Sequence, residues 1–173
     1  MNAVATSEPS TFPVWKRIQL GVHKNAESYR QALRDADIWV SWDADRLLDQ
    51  MAFTQKETEQ DLVSVQVSDL RINGYVNAFT VRAIAQRRFG LKLCSPEIAP
   101  ALRLLHLDQP VNERMLFGMT AIGRDLSNPD DRFGKLFEIG HNRQQLVFNT
   151  VEDSFGGLWG SENCRFIFVR PAE

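Results

Sequence analysis

The stretch from Leu91 to Ile122, LKLCSPEIAPALRLLHLDQPVNERMLFGMTAI, constrains the fold more than any other part of the chain. It carries the densest apolar patterning. Before it, apolar residues recur mostly at helical spacing; after it they alternate. Ser95 and Pro96 open a helical turn, because serine is a favoured cap, proline fits the first helical position and Glu97 suits the positive end of the dipole. Pro100 then limits that turn to a single one. Beyond it Leu102, Leu104 and His106 alternate with Arg103, Leu105 and Leu107, which predicts a strand. Met115 to Ile122 is expected to pair back on it as a hairpin, with Asp108 to Glu113 as the turn.

The rest of the chain is read around this seam. Residues 1–13 form a polar tail, and residues 14–171 form a single α+β domain. Ile18, Leu20 and Val22 alternate with polar neighbours in a first strand. Asn25 caps a helix to about Ala36, with Ala26, Tyr29, Leu33 and Ala36 on one stripe. Ser41 or Asp43 starts a second helix carrying Leu47, Leu48 and Met51. Phe53 to Asp61 is a connector, Leu62 to Val67 a strand, and Ala78 to Arg88 a third helix ended by Gly90. Ser127 to Arg132 is a loop. Leu136 to Gly140, Gln145 to Val151 and Arg165 to Val169 are further strands, with turns at Asn142–Arg143 and Gly156–Gly157. The expected architecture is about three helices, mostly in the N-terminal half, packed on an antiparallel sheet dominated by the C-terminal half.

A chain of 173 residues buries about two thirds of its unfolded surface. Its 43% hydrophobic and 24% charged content fits a soluble globular protein, and a net charge of −2 gives no global field for nucleic acid. No apolar run reaches the roughly 20 residues that span a bilayer, and the N-terminus lacks a basic segment followed by an apolar one, so a cytoplasmic address is expected. Cys94 and Cys164 lie in apolar surroundings and are expected to be free thiols.

The blocks WKRIQLG, SYRQALRDA, SWDADRLL followed by MAFT, DLVSVQVSDL, GLKLCSPEIAPALRL and LDQP, in this order, resemble a family of uncharacterised bacterial proteins. A weaker echo follows in LVFN and FIFVRP. The resemblance implies a bacterial, soluble protein and transfers no functional residue.

Candidate chemistry is sparse. His23, His106 and His141 lack metal-ligand spacing, so no metal and no cofactor is expected. No GxSxG, P-loop or GxGxxG pattern occurs, which disfavours the familiar hydrolase, kinase and dinucleotide classes. His141 and Arg143, beside a strand end, with Arg103 and His106 on a neighbouring strand, could supply a proton-transfer base and phosphate-stabilising cations for a metal-independent, RNase-toxin-like nuclease. Arg82, Arg87, Arg88 and Lys92 form the one basic concentration, a weak candidate for nucleic acid. Trp39, Trp42 and Trp159 fall near turns or element ends, where aromatics can anchor a partner. A well-patterned core without a catalytic constellation points to a non-enzymatic binding or interaction module of a bacterial or mobile-element system with a protein partner. The nuclease is the alternative.

Overall fold

The segment RFIFV has apolar residues at successive positions, and a strand of that kind needs neighbours over both faces. In the computed structural model, which describes residues 12–72, 76–128, 133–154 and 164–172, it receives them. It belongs to β7 (Cys164–Val169), an inner strand of one seven-stranded sheet. The others are β1 (Lys16–Leu20), β2 (Trp39–Val40), β3 (Thr58–Gln66), β4 (Arg114–Phe117), β5 (Lys135–His141) and β6 (Leu146–Glu152). Their order is β1-β3-β7-β4-β5-β6-β2.

The sheet is mixed. β4 runs parallel to β7 and β2 parallel to β6, while the remaining neighbours are antiparallel, so the expected purely antiparallel sheet is corrected. Alternation places Ile18, Leu62, Ile167, Met115, Phe117, Ile139 and Phe148 on one face, and Val63, Val65, Phe166, Phe168 and Leu116 on the other. All of these are buried. Phe137 and Phe148 stack with ring centroids 4.9 Å apart.

Four α-helices, rather than about three, are present among the described residues: α1 (Ala26–Asp35), α2 (Trp42–Leu48), α3 (Ala78–Phe89) and α4 (Ile98–Leu105). The cap residues act as their chemistry predicts. Asn25 accepts from Ser28 N–H at 2.9 Å, Ser41 from Ala44 N–H at 3.2 Å and Asn77 from Thr80 N–H at 2.8 Å. Gly90 closes α3 at φ +65°, a left-handed position that glycine adopts without strain.

The segment expected to be a strand from Leu102 to Leu107 is helix α4 and the residues just after it. Pro100 does not stop this helix, because it sits in the first turn, where the backbone N–H has no intrahelical partner to lose. Ile98, Ala99, Leu102 and Arg103 then form one buried stripe. The predicted hairpin with Met115–Ile122 therefore does not form, and β4 pairs with β5 and β7 instead. The connector expected over Phe53 to Asp61 is half strand, since β3 already begins at Thr58. Its first residues are exposed on both faces, which hid them from a reading based on apolar alternation.

Phe12, within the stretch expected to be a tail, packs edge-on against Phe89 at 5.2 Å, and residues 1–11 lie outside the described residues. The Gly156–Gly157 turn and the end of the Ser127–Arg132 loop lie outside the described residues. Cys94 and Cys164 are free and buried; burial raises both thiols, that of Cys164 to about 11. No helix among the described residues is long and apolar enough to cross a membrane.

Candidate functional site

Arg103, His106 and His141 do converge, around a residue the sequence did not single out, Gln109. Arg103 lies on α4, not on a strand, and is completely buried. Its guanidinium donates to Gln109 Oε1 at 2.5 Å, to the Gly140 carbonyl at 3.1 Å and to the His106 carbonyl. His141 Nδ1 is 2.5 Å from the Gln109 carbonyl, which can only accept, so that nitrogen carries the proton. Gln109 Nε2 donates weakly to the carbonyls of Ile139 and Glu113, both at 3.4 Å. Together these bonds fasten the loop from His106 to Glu113 against the end of β5. Arg143 is exposed in the β5–β6 turn.

Burial dominates the electrostatics of this network. Burial depresses the Arg103 guanidinium to about 10. His106 is 5% exposed and meets the Trp15 ring edge-on at 5.1 Å. Its Nδ1 donates to Asp108 Oδ1 at 2.9 Å, and its Nε2 lies 3.8 Å from Glu113 Oε2, too far to bond. Glu113 also faces Arg165 at 3.4 Å.

Burial, assisted by the charges of Lys16 and Arg103, holds the His106 pKa below its ordinary value against the opposing pull of Asp108. A depressed base gives stability above its unfolded pKa of about 6.5, and that stability is lost as pH falls toward the folded pKa. Urea midpoints should therefore decline on acidification below pH ~6.5, and His106→Gln should flatten that part of the profile. An unchanged slope in the variant would remove His106 from this role.

A second buried constellation was read in the sequence only as a helix-dipole acid. Glu97, 1% exposed, precedes α4 and accepts from Gly21 N–H at 3.3 Å, the Tyr29 hydroxyl at 3.2 Å and Thr54 N–H at 2.8 Å. One carboxylate thus ties the end of β1, helix α1 and the chain before β3. Tyr29 stacks on Phe53 at 5.7 Å between ring centroids and meets a tilted His23 ring at 4.7 Å, and burial and the Glu97 charge raise its phenol.

The predicted basic concentration divides. Arg82 is buried and bound in bidentate fashion to Asp153, at 2.9 and 2.6 Å, so it offers no free cation. Arg87, Arg88 and Lys92 are exposed, with the Arg88 guanidinium against the Phe89 ring at 5.5 Å. Glu138, also buried, is held by Arg114. No group of three His, Cys, Asp or Glu side chains among the described residues is placed to hold a metal ion.

The two described tryptophans of the predicted set are exposed, Trp42 by 73% and Trp39 by 48%. Trp39 is on β2, the short edge strand, and Trp42 begins α2, where Arg46 lies over its ring at 4.9 Å. Trp159 lies outside the described residues. Comparison with protein-family models, curated proteins and solved structures finds no match to the chain.

Proposed function

We propose that the protein is a non-enzymatic binding module of a bacterial or mobile-element system, acting in the cytoplasm and docking a protein partner through the surface around Trp39 and Trp42. The observation that carries this is a contrast of exposure. The buried Glu97, Arg103, Gln109, Arg82 and Glu138 are engaged in bonds that hold the fold together, whereas two large aromatic rings stand in solvent on one edge of the sheet. Tryptophan is the side chain most enriched among residues that dominate interface energies. Both rings sit on fixed backbone: Ser41, between them, bonds the Phe148 carbonyl through its N–H at 3.0 Å and caps α2 with its hydroxyl. A rigid aromatic loses little conformational entropy on binding.

The nuclease alternative has less support. Two of its four residues, Arg103 and His106, are buried in the loop network, and Arg143 is exposed in the turn after β5. The test begins with co-purification from the native host, identification of the partner and titration of the purified pair. Trp42→Ala and Trp39→Ala should each weaken that complex at least about tenfold, near 1.4 kcal/mol, with unchanged unfolding midpoints. Unaltered affinity in both variants, or robust turnover of a substrate by the purified chain, would sink this reading.

A further inference from the structure

A cavity of about 570 Å³ opens between α3 and the chain that leaves β4 and β6. That volume lies in the range of small-molecule sites. Arg82 and Asp153 both line it, and they grip each other in bidentate fashion across 71 positions of chain. This pair fixes α3 against the end of β6, so the shape of the cavity is set by the fold. Both carboxylate oxygens are taken by one guanidinium, and the pair is electrically closed. The charge left over in the lining belongs to Arg87, which is exposed and makes no ion pair among the described residues.

The opposite end of the same helix face carries a ring. Phe79 is 61% exposed and lines the cavity. A lone exposed aromatic needs no explanation. This one shares its face with Ala83, Gln86 and Arg87, four, seven and eight positions on, so a ring, a small apolar residue, an amide and a cation follow one another along α3. From Phe79 to Arg87 the helix rises roughly 12 Å, at about 1.5 Å per residue. Helical side chains lean toward the N-terminus, which brings the arginine stem back toward the ring. Leu93 and Ala121 add apolar wall, and Thr120 brings a hydroxyl.

We infer that this cavity binds a nucleotide, with the base stacked on Phe79, the phosphate paired with Arg87, and Gln86 and Thr120 bonded to the sugar and base edges. Each part of the lining answers to one part of such a ligand. An aliphatic anion would leave the ring without a role, and an uncharged aromatic would leave the cation without one. Aromatic faces accept any base by stacking. Double-stranded nucleic acid is not the ligand, because it is held by many cations along its two backbones and this cavity offers one. The basic concentration noted in the sequence thus resolves into a clamp, Arg82, and a phosphate contact, Arg87. None of the lining residues belongs to β2 or α2, so the inference is independent of partner docking at Trp39 and Trp42.

Titrating the isotope-labelled full chain with adenosine monophosphate should shift the amides of Phe79 to Arg87 and of Thr120 and Ala121 saturably. Adenosine, which lacks the phosphate, should bind at least about fivefold more weakly. Phe79→Ala should weaken both ligands at least about fivefold. Arg87→Gln should lower adenosine monophosphate to the affinity of adenosine and leave adenosine unchanged, and Arg87→Lys should restore part of the difference. Both side chains are exposed, so these variants should keep the wild-type urea midpoint. A short single-stranded oligonucleotide that shifts the same amides at lower concentration makes a nucleic-acid strand the source of the nucleotide; a weaker response makes it the free nucleotide. The inference is overturned if adenosine monophosphate and its cytidine, guanosine and uridine counterparts give no saturable shift at millimolar concentration. It is equally overturned if inorganic phosphate binds as tightly as they do, or if neither the Phe79 nor the Arg87 substitutions alter their affinity.

Discussion

Replacing Arg103 with methionine should cost about 3 kcal/mol of unfolding free energy. Methionine matches the stem of the arginine and fills most of its volume, so the loss comes from polar groups, not from a cavity. The Gly140 and His106 carbonyls and Gln109 Oε1 each lose a donor in a place that water does not reach. A buried acceptor left unbonded costs about 1–3 kcal/mol, and part of the sum is returned because the guanidinium itself no longer has to be desolvated. Arg103→Lys should recover little, since one ammonium cannot span three acceptors set by a planar fork. Urea unfolding followed by tryptophan fluorescence measures both variants. A methionine variant within about 0.5 kcal/mol of wild type, the range of neutral surface changes, would mean that the loop from His106 to Glu113 is held by something other than Arg103.

Glu97→Ala should be comparably damaging, at about 3 kcal/mol, for the opposite reason: it strands donors. Gly21 N–H, Thr54 N–H and the Tyr29 hydroxyl all lose their acceptor. Glu97→Gln separates the charge from the shape. It keeps one acceptor oxygen and places an amide N–H₂ against a donor, so a loss of about 1–2 kcal/mol, smaller than that of alanine, is expected. If glutamine and alanine prove equally costly, the negative charge rather than the bond count holds the three segments together. If neither moves the urea midpoint, the carboxylate is not the tie described here.

These two residues also show how far the sequence could be read. Strands with apolar alternation, such as LVSVQV and RFIFV, and helices with a capping asparagine were legible, because period and cap chemistry are local properties. The α+β class followed from them. Arg103 and His106 were misplaced because LRLLHL satisfies a two-residue period and a helical one equally well, and Pro100 was taken as a stop when its position in the first turn made it harmless. Glu97 stood out only as a helix-dipole acid, and Gln109 only as part of a turn. Their roles depend on partners 76 and 30 positions away, Gly21 and Ile139, which no local pattern reveals. The exposure of Trp39 and Trp42 agreed with their positions at element ends. Arg103, His106 and His141 were grouped in the sequence only as a catalytic alternative on neighbouring strands; they meet around Gln109, beneath a loop.

The inner position of β7 governs how the molecule can be made. Before Cys164 has left the ribosome, β1 and β3 can zip into one ribbon, and β4, β5, β6 and β2 into another, yet no strand joins the two, and only helices such as α4, which touches both β1 and β5, bridge them. The strand that separates them in space is the last of the seven to be synthesised. Its bonds reach back about a hundred residues to β3 and fifty to β4. Closing loops of that length before any contact rewards them slows folding. In the interval both ribbons present a bare inner edge flanked by valine, leucine and phenylalanine, the kind of surface that seeds aggregation in partly made chains. The vulnerable period in this protein's life is thus its birth, and conditions that lengthen the pause before β7 emerges should lower its yield more than any weakness of the finished sheet.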